Sequence, residues 1–248
     1  MNLSPPLTST LEIAPAIQDN GFAIAAAASV AELANVSLSD LLNLGLHWRG
    51  LPRDPYLKDG GRYRFRRHAS YTLSGSELKM VPHRAHWQSV DYNALHGGIE
   101  RWFEPITQAL ANDLSWQAVI KNTAGLLSSL KPVTTWFIEA HQFRIDTSDG
   151  IGRPTPEGAH RDGVDFVAVF LIDRHNIKGG ETRIFEVNTA AGLRFTLTEP
   201  WSVLLMNDER MIHETTPIQP TLPKGYRDTL VLTFRSSGFQ DSPNFNPS

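Results

Sequence analysis

The pattern of apolar and polar residues predicts a helical first half and a strand-rich second half. Apolar residues recur at helical spacing over residues 102–114 and 116–130. The candidate core positions in these two helices are Leu110, Leu114, Ile120, Leu126, Leu127 and Leu130. A further helix is predicted after Ser37, because a serine followed three residues later by Asp40 is typical of a capped helix start.

From residue 134 onward the pattern changes to short runs of β-branched, aromatic and other apolar residues. The strand-like runs are residues 134–146, 165–173, 181–187, 193–197, 201–206 and 228–236. Clusters of Gly, Pro, Asn and Asp separate them, and Gly179-Gly180 is predicted to form a tight turn. No helical pattern interrupts the runs, which favours antiparallel pairing into a sandwich or barrel. The predicted fold is therefore mostly β with flanking helices (α+β).

Length and composition are typical of a single globular domain. The chain has 248 residues, of which 41% are hydrophobic and 20% are charged, and this is enough to bury a sizeable core. The predicted organisation is a helix-rich flank over about residues 1–130 that covers a strand-rich core over about 131–238, followed by a tail over 239–248.

Charge and hydropathy argue against nucleic acids and membranes as partners. The chain has 23 basic and 26 acidic residues and a formal net charge of -3, so no strong field attracts a polyanion. The alanine-rich stretch 22–34 lacks the positive start of a signal peptide, and it is shorter than the roughly 20 apolar residues that span a bilayer. We therefore expect a cytoplasmic protein that binds neither nucleic acid nor a membrane. The sequence leaves both a monomer and a homo-oligomer open.

The absence of cysteine restricts any metal site to nitrogen and oxygen ligands. His160 and Asp162 stand just before the strand-like run 165–173, and side chains two apart in a strand project from the same face. The two can therefore bind one ion if the strand begins at or before them. His213 follows the run 201–206 and is the candidate third ligand. Two histidines and one carboxylate on one face of a metal form the ligand pattern of mononuclear iron(II) oxygenases.

Arg227 opens the last strand-like run, and Thr229 lies on the same face two residues later. A guanidinium can bind a carboxylate through two parallel hydrogen bonds, so this position suits the distal carboxylate of a dicarboxylate. Taken in order, His160-x-Asp162, His213 and Arg227-x-Thr229 resemble the iron- and 2-oxoglutarate-binding signature of the 2-oxoglutarate-dependent dioxygenases.

The wider sequence resembles the bacterial branch of that superfamily that contains the L-isoleucine hydroxylases. The matching segments are residues 60–64, 141–145, 156–163 and 179–182. The resemblance implies a double-stranded β-helix, or jelly-roll barrel, backed by helices. It also implies iron(II) bound by His160, Asp162 and His213, 2-oxoglutarate bound by Arg227 and Thr229, and dioxygen as the oxidant. The implied reaction hydroxylates a small molecule, in this branch a free aliphatic L-amino acid, and releases succinate and carbon dioxide.

The strand-like run 134–146 supplies the first candidate substrate contacts. Gln142 and Arg144 project from one face of this strand, and Glu139 and His141 project from the other. The sequence does not say which face meets the cavity. We favour Gln142 and Arg144 as the residues near the substrate.

The basic run 62–67 supplies the second set of candidate contacts. Such a run is usually a solvated face, but the carboxylate of an amino-acid substrate needs a positive partner, and Arg62 and Arg64 are the candidates. Three histidines without strand-paired spacing are expected to be surface or locally hydrogen-bonded residues: His83, His86 and His96.

Two alternative functions remain open at this point. The first is a cupin-like metalloenzyme that needs no cosubstrate, and such an enzyme has no need of Arg227. The second is a non-catalytic barrel with a binding or regulatory role, which has no reason to keep the three metal ligands His160, Asp162 and His213.

Overall fold

The structure is a computed structural model that describes residues 3–92, 95 and 97–242, so His96 and residues 243–248 of the predicted tail lie outside the described part. The helices are α1 (Ile13–Asn20), α2 (Ala27–Ala34), α3 (Leu38–Leu44), α4 (Gln108–Ala111) and α5 (Leu114–Leu130). The strands are β1 (Phe22–Ala25), β2 (Arg64–Ser74), β3 (Glu77–Met80), β4 (Thr135–Asp146), β5 (Phe166–His175), β6 (Ile177–Gly179), β7 (Thr182–Glu186), β8 (Gly192–Phe195), β9 (Val203–Asn207), β10 (Met211–Thr215), β11 (Ile218–Pro220) and β12 (Tyr226–Arg235).

The strands form antiparallel sheets of unequal size. The large sheet has seven strands in the order β1-β9-β5-β12-β4-β2-β3. A three-stranded sheet has the order β10-β7-β8, and β6 pairs with β11 in a two-stranded sheet. The order is non-sequential and mixes strands from both halves of the chain, as in a jelly roll. The predicted mostly β fold with flanking helices is therefore confirmed.

The two faces of the large sheet have different roles. One face packs against α1, α2, α3 and α5 and forms the main core, to which β4 contributes Trp136, Ile138 and Ala140. Because side chains alternate along a strand, Glu139 and His141 project from the opposite face. That face turns toward the small sheet, where a second apolar cluster includes Leu171 and Ile184.

Helix α5 supplies most of the helical part of the core. Asp113 caps its first turn by accepting hydrogen bonds from the backbone N–H groups of Ser115 (2.8 Å) and Trp116 (3.1 Å). The buried positions recur at helical spacing, from Trp116 through Ile120 to Leu127. Among the described residues, no helix has the length and apolarity needed to cross a bilayer.

The predicted strands agree closely with the structure. Each of the six strand-like runs contains most of one strand, with ends that differ by one or two residues. Gly179 and Gly180, predicted to form a tight turn, adopt positive φ angles of 81° and 68° where the chain passes from β6 to β7. A Cβ atom on Gly179 would lie 2.3 Å from the Pro217 carbonyl oxygen, so this position requires glycine.

The prediction of a helical first half was wrong over residues 102–107 and missed the strands β1, β2 and β3. Within the predicted helix 102–114, only Gln108–Ala111 and Leu114 are helical, because Pro105 and its neighbours run alongside β2. Leu114 begins α5 with 79% of its surface exposed, so it is not a core residue. The eleven-residue strand β2 was not predicted, and it lies in the large sheet between β4 and β3.

Candidate metal centre

A cavity lies between the large sheet and the small sheet. Its floor is formed by rows of side chains that run across β2, β4 and β12. One row contains Arg64, Ile145 and Arg227, and the next contains Arg66, Phe143 and Thr229. Residues of these rows line the cavity because alternate side chains of each strand face the same way.

His160, Asp162 and His213 meet at this cavity. The backbones of His160 and His213 exchange two hydrogen bonds (3.0 and 2.9 Å), and the two imidazole rings lie 4.5 Å apart. The Asp162 carboxylate lies 3.8 Å from the Nε2 atom of each histidine. One nitrogen or oxygen atom from each residue falls within 4.8 Å of the others, a spacing at which the three could hold a metal ion.

The reason for this meeting differs from the prediction. Strand β5 begins only at Phe166, so strand alternation does not place His160 and Asp162 together. Instead His160 pairs with His213 of β10 through an isolated bridge, and Asp162 lies in the loop between that bridge and β5.

The buried carboxylate of Asp208 holds the loop that carries Asp162. It accepts backbone hydrogen bonds from Asp162 (3.0 Å), Gly163 (2.8 Å) and Val164 (3.1 Å). Burial and the charge of Asp162 raise the pKa of Asp208 to about 7. Gln240 binds the same loop from the other side, since its side-chain amide donates to the carbonyls of Asp162 and Gly163 (both 2.9 Å). Gln240 is buried, so the predicted loose tail does not begin at residue 239.

The protonation of the two histidines fits metal binding. The Nδ1–H group of His160 donates to the Gly158 carbonyl (2.9 Å), which leaves Nε2 to face Asp162. Burial would lower the pKa of His160, but Asp162 and Glu157 outweigh it and raise the pKa. Burial and the neighbouring His160 hold the pKa of His213 well below its usual value, so its imidazole is neutral. The carboxylates therefore favour a positive charge between these side chains, which a divalent cation would supply.

Arg227 faces the same cavity with an unused hydrogen-bond donor. Its side chain is buried, and Nη2 has no partner among the described residues. The adjacent Asp228 is held by Arg144 instead. Burial and the nearby Arg174 lower the pKa of Arg227 to about 10. A buried guanidinium with a free N–H group is suited to bind an anion, and the buried Thr229 hydroxyl lies on the same face.

Comparison with protein families identifies the chemistry of this site. The model of the 2OG-Fe dioxygenase family matches residues 46–233, well over half of the chain. The chain belongs to this family. It is therefore a 2-oxoglutarate-dependent dioxygenase, with iron(II), 2-oxoglutarate and dioxygen as cofactor and cosubstrates.

Solved structures share the fold of this dioxygenase. A bsmA homologue from Methylobium petroleophilum PM1 is 45% identical, with a TM-score of 0.91 over 96% of this chain and 98% of that chain. The IDO protein from Bacillus thuringiensis is 19% identical, with a TM-score of 0.75 over 96% of this chain and 99% of that chain. The Fe(II)/α-ketoglutarate-dependent dioxygenase TqaL is 16% identical, with a TM-score of 0.70 over 91% and 86%. The last two likenesses show the fold alone. Among curated proteins, no sequence has significant similarity to the chain.

Three of the four predicted substrate contacts of the dioxygenase lie away from the cavity. The Gln142 side chain is on the helix-facing side of β4, where its amide donates to the His47 carbonyl (3.2 Å). Arg144 forms a two-bond ion pair with Asp228 (2.8 and 2.6 Å), and Arg62 is exposed before β2 begins. Our choice of the Gln142 and Arg144 face was therefore wrong, because the helices cover that face. Arg64 alone lines the cavity.

A second cluster of histidines borders the same cavity of the dioxygenase, and three of its members, His86, Glu139 and His141, are in the cavity wall. It consists of His68, His86, Glu139 and His141, all buried, with one donor atom from each within 4.8 Å of the others. Glu139 bonds to His68 Nε2 (3.1 Å) and His86 Nδ1 (3.2 Å). The prediction that His86 is a surface or locally bonded residue was therefore wrong. His83, in contrast, is exposed, as predicted, and it donates to the Phe103 carbonyl (2.8 Å).

Arginines surround this second cluster of the dioxygenase. Arg66 lies with Nη2 2.6 Å from His141 Nδ1, and Arg84 Nη1 lies 3.6 Å from Glu139. Arg101 adds to the positive charge that acts on His86. Burial and these cations lower the pKa of His86 to about 4, against the opposing effect of Glu139. Because Glu139 is already balanced by guanidinium groups, a divalent cation here would meet strong repulsion. We interpret the cluster as a hydrogen-bond network.

Sequence reasoning missed several polar residues that line the cavity of the dioxygenase. They are Arg66, Gln88, Arg101, Glu157 and Gln240. One weak signal was available, since Glu157 lies three residues before His160 in a segment already singled out. Nothing in the sequence marks Arg101 or Gln240, whose positions depend on loops that fold back over the barrel.

Proposed function

We propose that the chain hydroxylates a free aliphatic L-amino acid with release of succinate and carbon dioxide, and that His160, Asp162 and His213 hold its iron(II). A single observation carries the assignment of the site: the three residues face the same cavity as the unpaired guanidinium of Arg227. A metal and a dicarboxylate cosubstrate must meet in one cavity for this chemistry. When bound, iron(II) and 2-oxoglutarate supply the oxidising power, and the protein supplies geometry.

The protein residues have separate tasks in this proposal. His160 and His213 offer Nε2 lone pairs, and Asp162 offers a carboxylate oxygen. Arg227 donates to the distal carboxylate of 2-oxoglutarate, and Thr229 adds a hydrogen bond from its hydroxyl. The charged contact forms where water is largely excluded, since Arg227 and Thr229 are both buried. Asp208 keeps Asp162 in place through three backbone hydrogen bonds.

An amino acid is supported as the substrate by the lining of the cavity, in which charged side chains lie beside the apolar side chains of Phe143, Ile145 and Val169. Arg64 lies in its wall and offers a positive charge for a carboxylate. The relation to L-isoleucine hydroxylases, the cytoplasmic location and the oligomeric state remain predictions from the sequence.

The test is a turnover assay with iron(II), ascorbate, 2-oxoglutarate and a panel of free L-amino acids. We expect succinate in amounts that match a product one oxygen atom heavier than the amino acid. Thermal stabilisation by 2-oxoglutarate in the presence of a divalent metal checks cosubstrate binding independently. If the metal-loaded protein binds no 2-oxoglutarate, a cosubstrate-independent reaction or a non-catalytic role would replace the proposal.

A further inference from the structure

Arg64 and Arg101 are among the arginines of the cavity wall that have buried donors not used by the proposed iron and 2-oxoglutarate sites. Arg64 donates from Nε to Asp54 (2.7 Å), whereas its Nη2 has no partner among the described residues. Arg101 donates from Nη2 to Gln88 (2.9 Å), whereas its Nε likewise has none. Both side chains are more than nine-tenths buried and line the cavity. Buried donors are normally paired, so these two indicate a ligand with acceptor oxygens.

Spacing separates this pair of arginines from the 2-oxoglutarate anchor. Arg64 and Arg227 occupy the same row of the large sheet, with Ile145 of β4 between them. Neighbouring strands lie about 4.8 Å apart, so the backbones at Arg64 and Arg227 are roughly 10 Å apart. Two anionic groups can lie side by side there, one at each arginine.

Glu157 is a third residue of the cavity wall with a buried polar atom that has no partner among the described residues. Glu157 lines the cavity, and its Oε1 lies 3.5 Å from His160 Nε2. Its Oε2 is buried and has no partner among the described residues. Glu157 is not part of the close-packed triad of metal-ligand atoms. The negative charge of Glu157 also acts on Arg101. Burial and Arg64 lower the pKa of Arg101, and Glu157 opposes part of this effect.

The unused donors of Arg64 and Arg101, together with the unused acceptor of Glu157, exclude ligands that carry only one charged group. A plain carboxylic acid would satisfy the arginines but would add a negative charge near Glu157. A plain amine would pair with Glu157 but would leave the guanidinium donors empty. A molecule that carries a carboxylate and an ammonium group satisfies both. The apolar side chains of Phe143, Ile145 and Pro154 line the same cavity and can contact an aliphatic side chain.

We propose that Arg64 and Arg101 bind the carboxylate of the substrate and that Glu157 binds its ammonium group, so that the cavity selects zwitterionic α-amino acids. This inference rests on the proposed function, since it places the substrate in the cavity that holds the metal triad. It assigns Arg101 and Glu157 to substrate recognition, and it replaces Gln142, Arg144 and Arg62 in that role.

The experiment measures binding without turnover. Calorimetric titrations use the manganese(II)-loaded protein under anaerobic conditions, with and without 2-oxoglutarate. The probes are L-valine, L-leucine and L-isoleucine. Each is compared with the carboxylic acid that lacks its amino group and the amine that lacks its carboxylate. The wild-type protein should bind at least one amino acid about tenfold or more tightly than either analogue, as expected for charge-assisted hydrogen bonds.

The variants separate the two halves of the site. Arg101→Met should weaken the amino acid and the carboxylic acid about tenfold or more and leave the amine unchanged. Glu157→Gln should weaken the amino acid and the amine and leave the acid unchanged or slightly tighter. Arg64→Met should repeat the Arg101→Met pattern. Arg101→Met is the cleaner variant, because Arg64 also pairs with the buried Asp54. Arg62→Met and Glu100→Gln are matched controls at exposed positions and should change nothing.

Three results would overturn the inference. The first is equal affinity of the wild-type protein for the three members of every probe set. The second is a loss in Arg101→Met that is as large for the amine as for the amino acid. The third is a loss of 2-oxoglutarate affinity in Arg101→Met as large as in Arg227→Met, which would assign both arginines to the cosubstrate.

Failure of the proposed function would look different. In that case 2-oxoglutarate would neither bind the metal-loaded protein nor be converted to succinate, whatever the affinities of the amino acids, acids and amines. Since the probes are also titrated without 2-oxoglutarate, the ranking of amino acid, acid and amine is measured in either event.

Discussion

The cavity contains two groups of histidines and carboxylates that look alike by composition and differ in their surroundings. The first is the triad of His160, Asp162 and His213, and the second is the cluster around Glu139. In each group the candidate ligand atoms lie within 4.8 Å of one another. Donor type and spacing alone would therefore predict two metal sites.

Charge distinguishes the two groups. Around the triad the extra charged neighbours are acids, Glu157 against His160 and Asp208 under the Asp162 loop. Around Glu139 they are arginines, with Arg66 bonded to His141 and Arg84 close to the carboxylate. A divalent cation is attracted to the first group and repelled from the second. A ligand set is therefore better identified by its charged neighbours than by its donors alone.

The strongest test of this comparison is the number of metal ions. We expect one equivalent of metal per chain, because the arginines exclude a cation from the Glu139 cluster. His213→Ala should weaken metal binding by more than about 100-fold, since the loss of a ligand has a larger effect than the 10–100-fold loss typical when a residue that orients a ligand is removed. His86→Gln should keep the single equivalent. Metal content after dialysis, with calorimetric titration, provides the measurement. Two equivalents in the wild-type protein, with one lost in each variant, would refute the distinction.

The next test concerns the arginines themselves. Arg66 lies with its guanidinium carbon 3.6 Å from the ring centre of Phe103, and it also contacts His141, whereas Nη2 of Arg227 has no partner. Arg227→Met should therefore raise the Kd for 2-oxoglutarate by roughly 10²- to 5 × 10³-fold, from a loss of about 3 to 5 kcal/mol for a buried charged contact. The fold should survive, because the wild-type guanidinium already has an unpaired N–H group.

Titration of 2-oxoglutarate into the metal-loaded protein checks the Arg227 prediction. Arg227→Lys is the matched variant, and it should recover part of the affinity because it keeps the charge but not the two-bond geometry. An unchanged Kd in Arg227→Met would move the cosubstrate to another part of the cavity.

Most strands of the large sheet could be predicted from the sequence, and the alternation of side chains along a strand also explains why β2 could not. The runs that became β4, β5, β9 and β12 are rich in apolar residues because one face packs on the helices. Strand β2 follows the same alternation, but its inward face carries Arg64, Arg66 and His68. A strand that lines a polar cavity has charged residues where a core strand has apolar ones, so its pattern resembled a solvated segment.

The candidate site was predicted only in part, for a related reason. His160, Asp162, His213 and Arg227 were singled out by order and spacing, and the structure brings all four to one cavity. Period-two alternation separated Glu139 and His141 from Gln142 and Arg144. It could not decide which face the helices cover, because both faces of β4 carry polar groups.

A smaller effect is expected in the pH dependence of stability, which probes the Glu139 cluster directly. Burial lowers the pKa of His86 to about 4 from its ordinary value of 6.5. Between these values the unfolded chain binds a proton at His86 and the folded chain does not. The free energy of unfolding therefore falls as the pH is lowered from 6.5 to 4. The contribution of His86 is on the order of 3 kcal/mol.

Chemical denaturation across this pH interval tests the His86 prediction. His86→Gln keeps a side-chain donor for Glu139 but removes the titration, so its stability should vary less with pH than that of the wild-type protein. The exposed His175→Gln is the control and should follow the wild-type curve. Equal slopes for His86→Gln and the wild-type protein would show that His86 is already protonated in the fold, and the cluster would then be more positively charged than we infer.

The smallest effect is expected for the acid beneath the triad. Asp208→Asn keeps one acceptor oxygen for the loop but loses the charge and one of the two oxygens that the backbone N–H groups of Asp162, Gly163 and Val164 share. Asp162 should remain a ligand on a less ordered loop. Metal affinity should therefore fall about tenfold, at the lower end of the 10–100-fold effects of residues that orient metal ligands. The exposed neighbour Glu209→Gln is the control. If Asp208→Asn bound metal more tightly, negative charge around the triad would not be what attracts the cation, and the contrast with the Glu139 cluster would rest on ligand geometry instead.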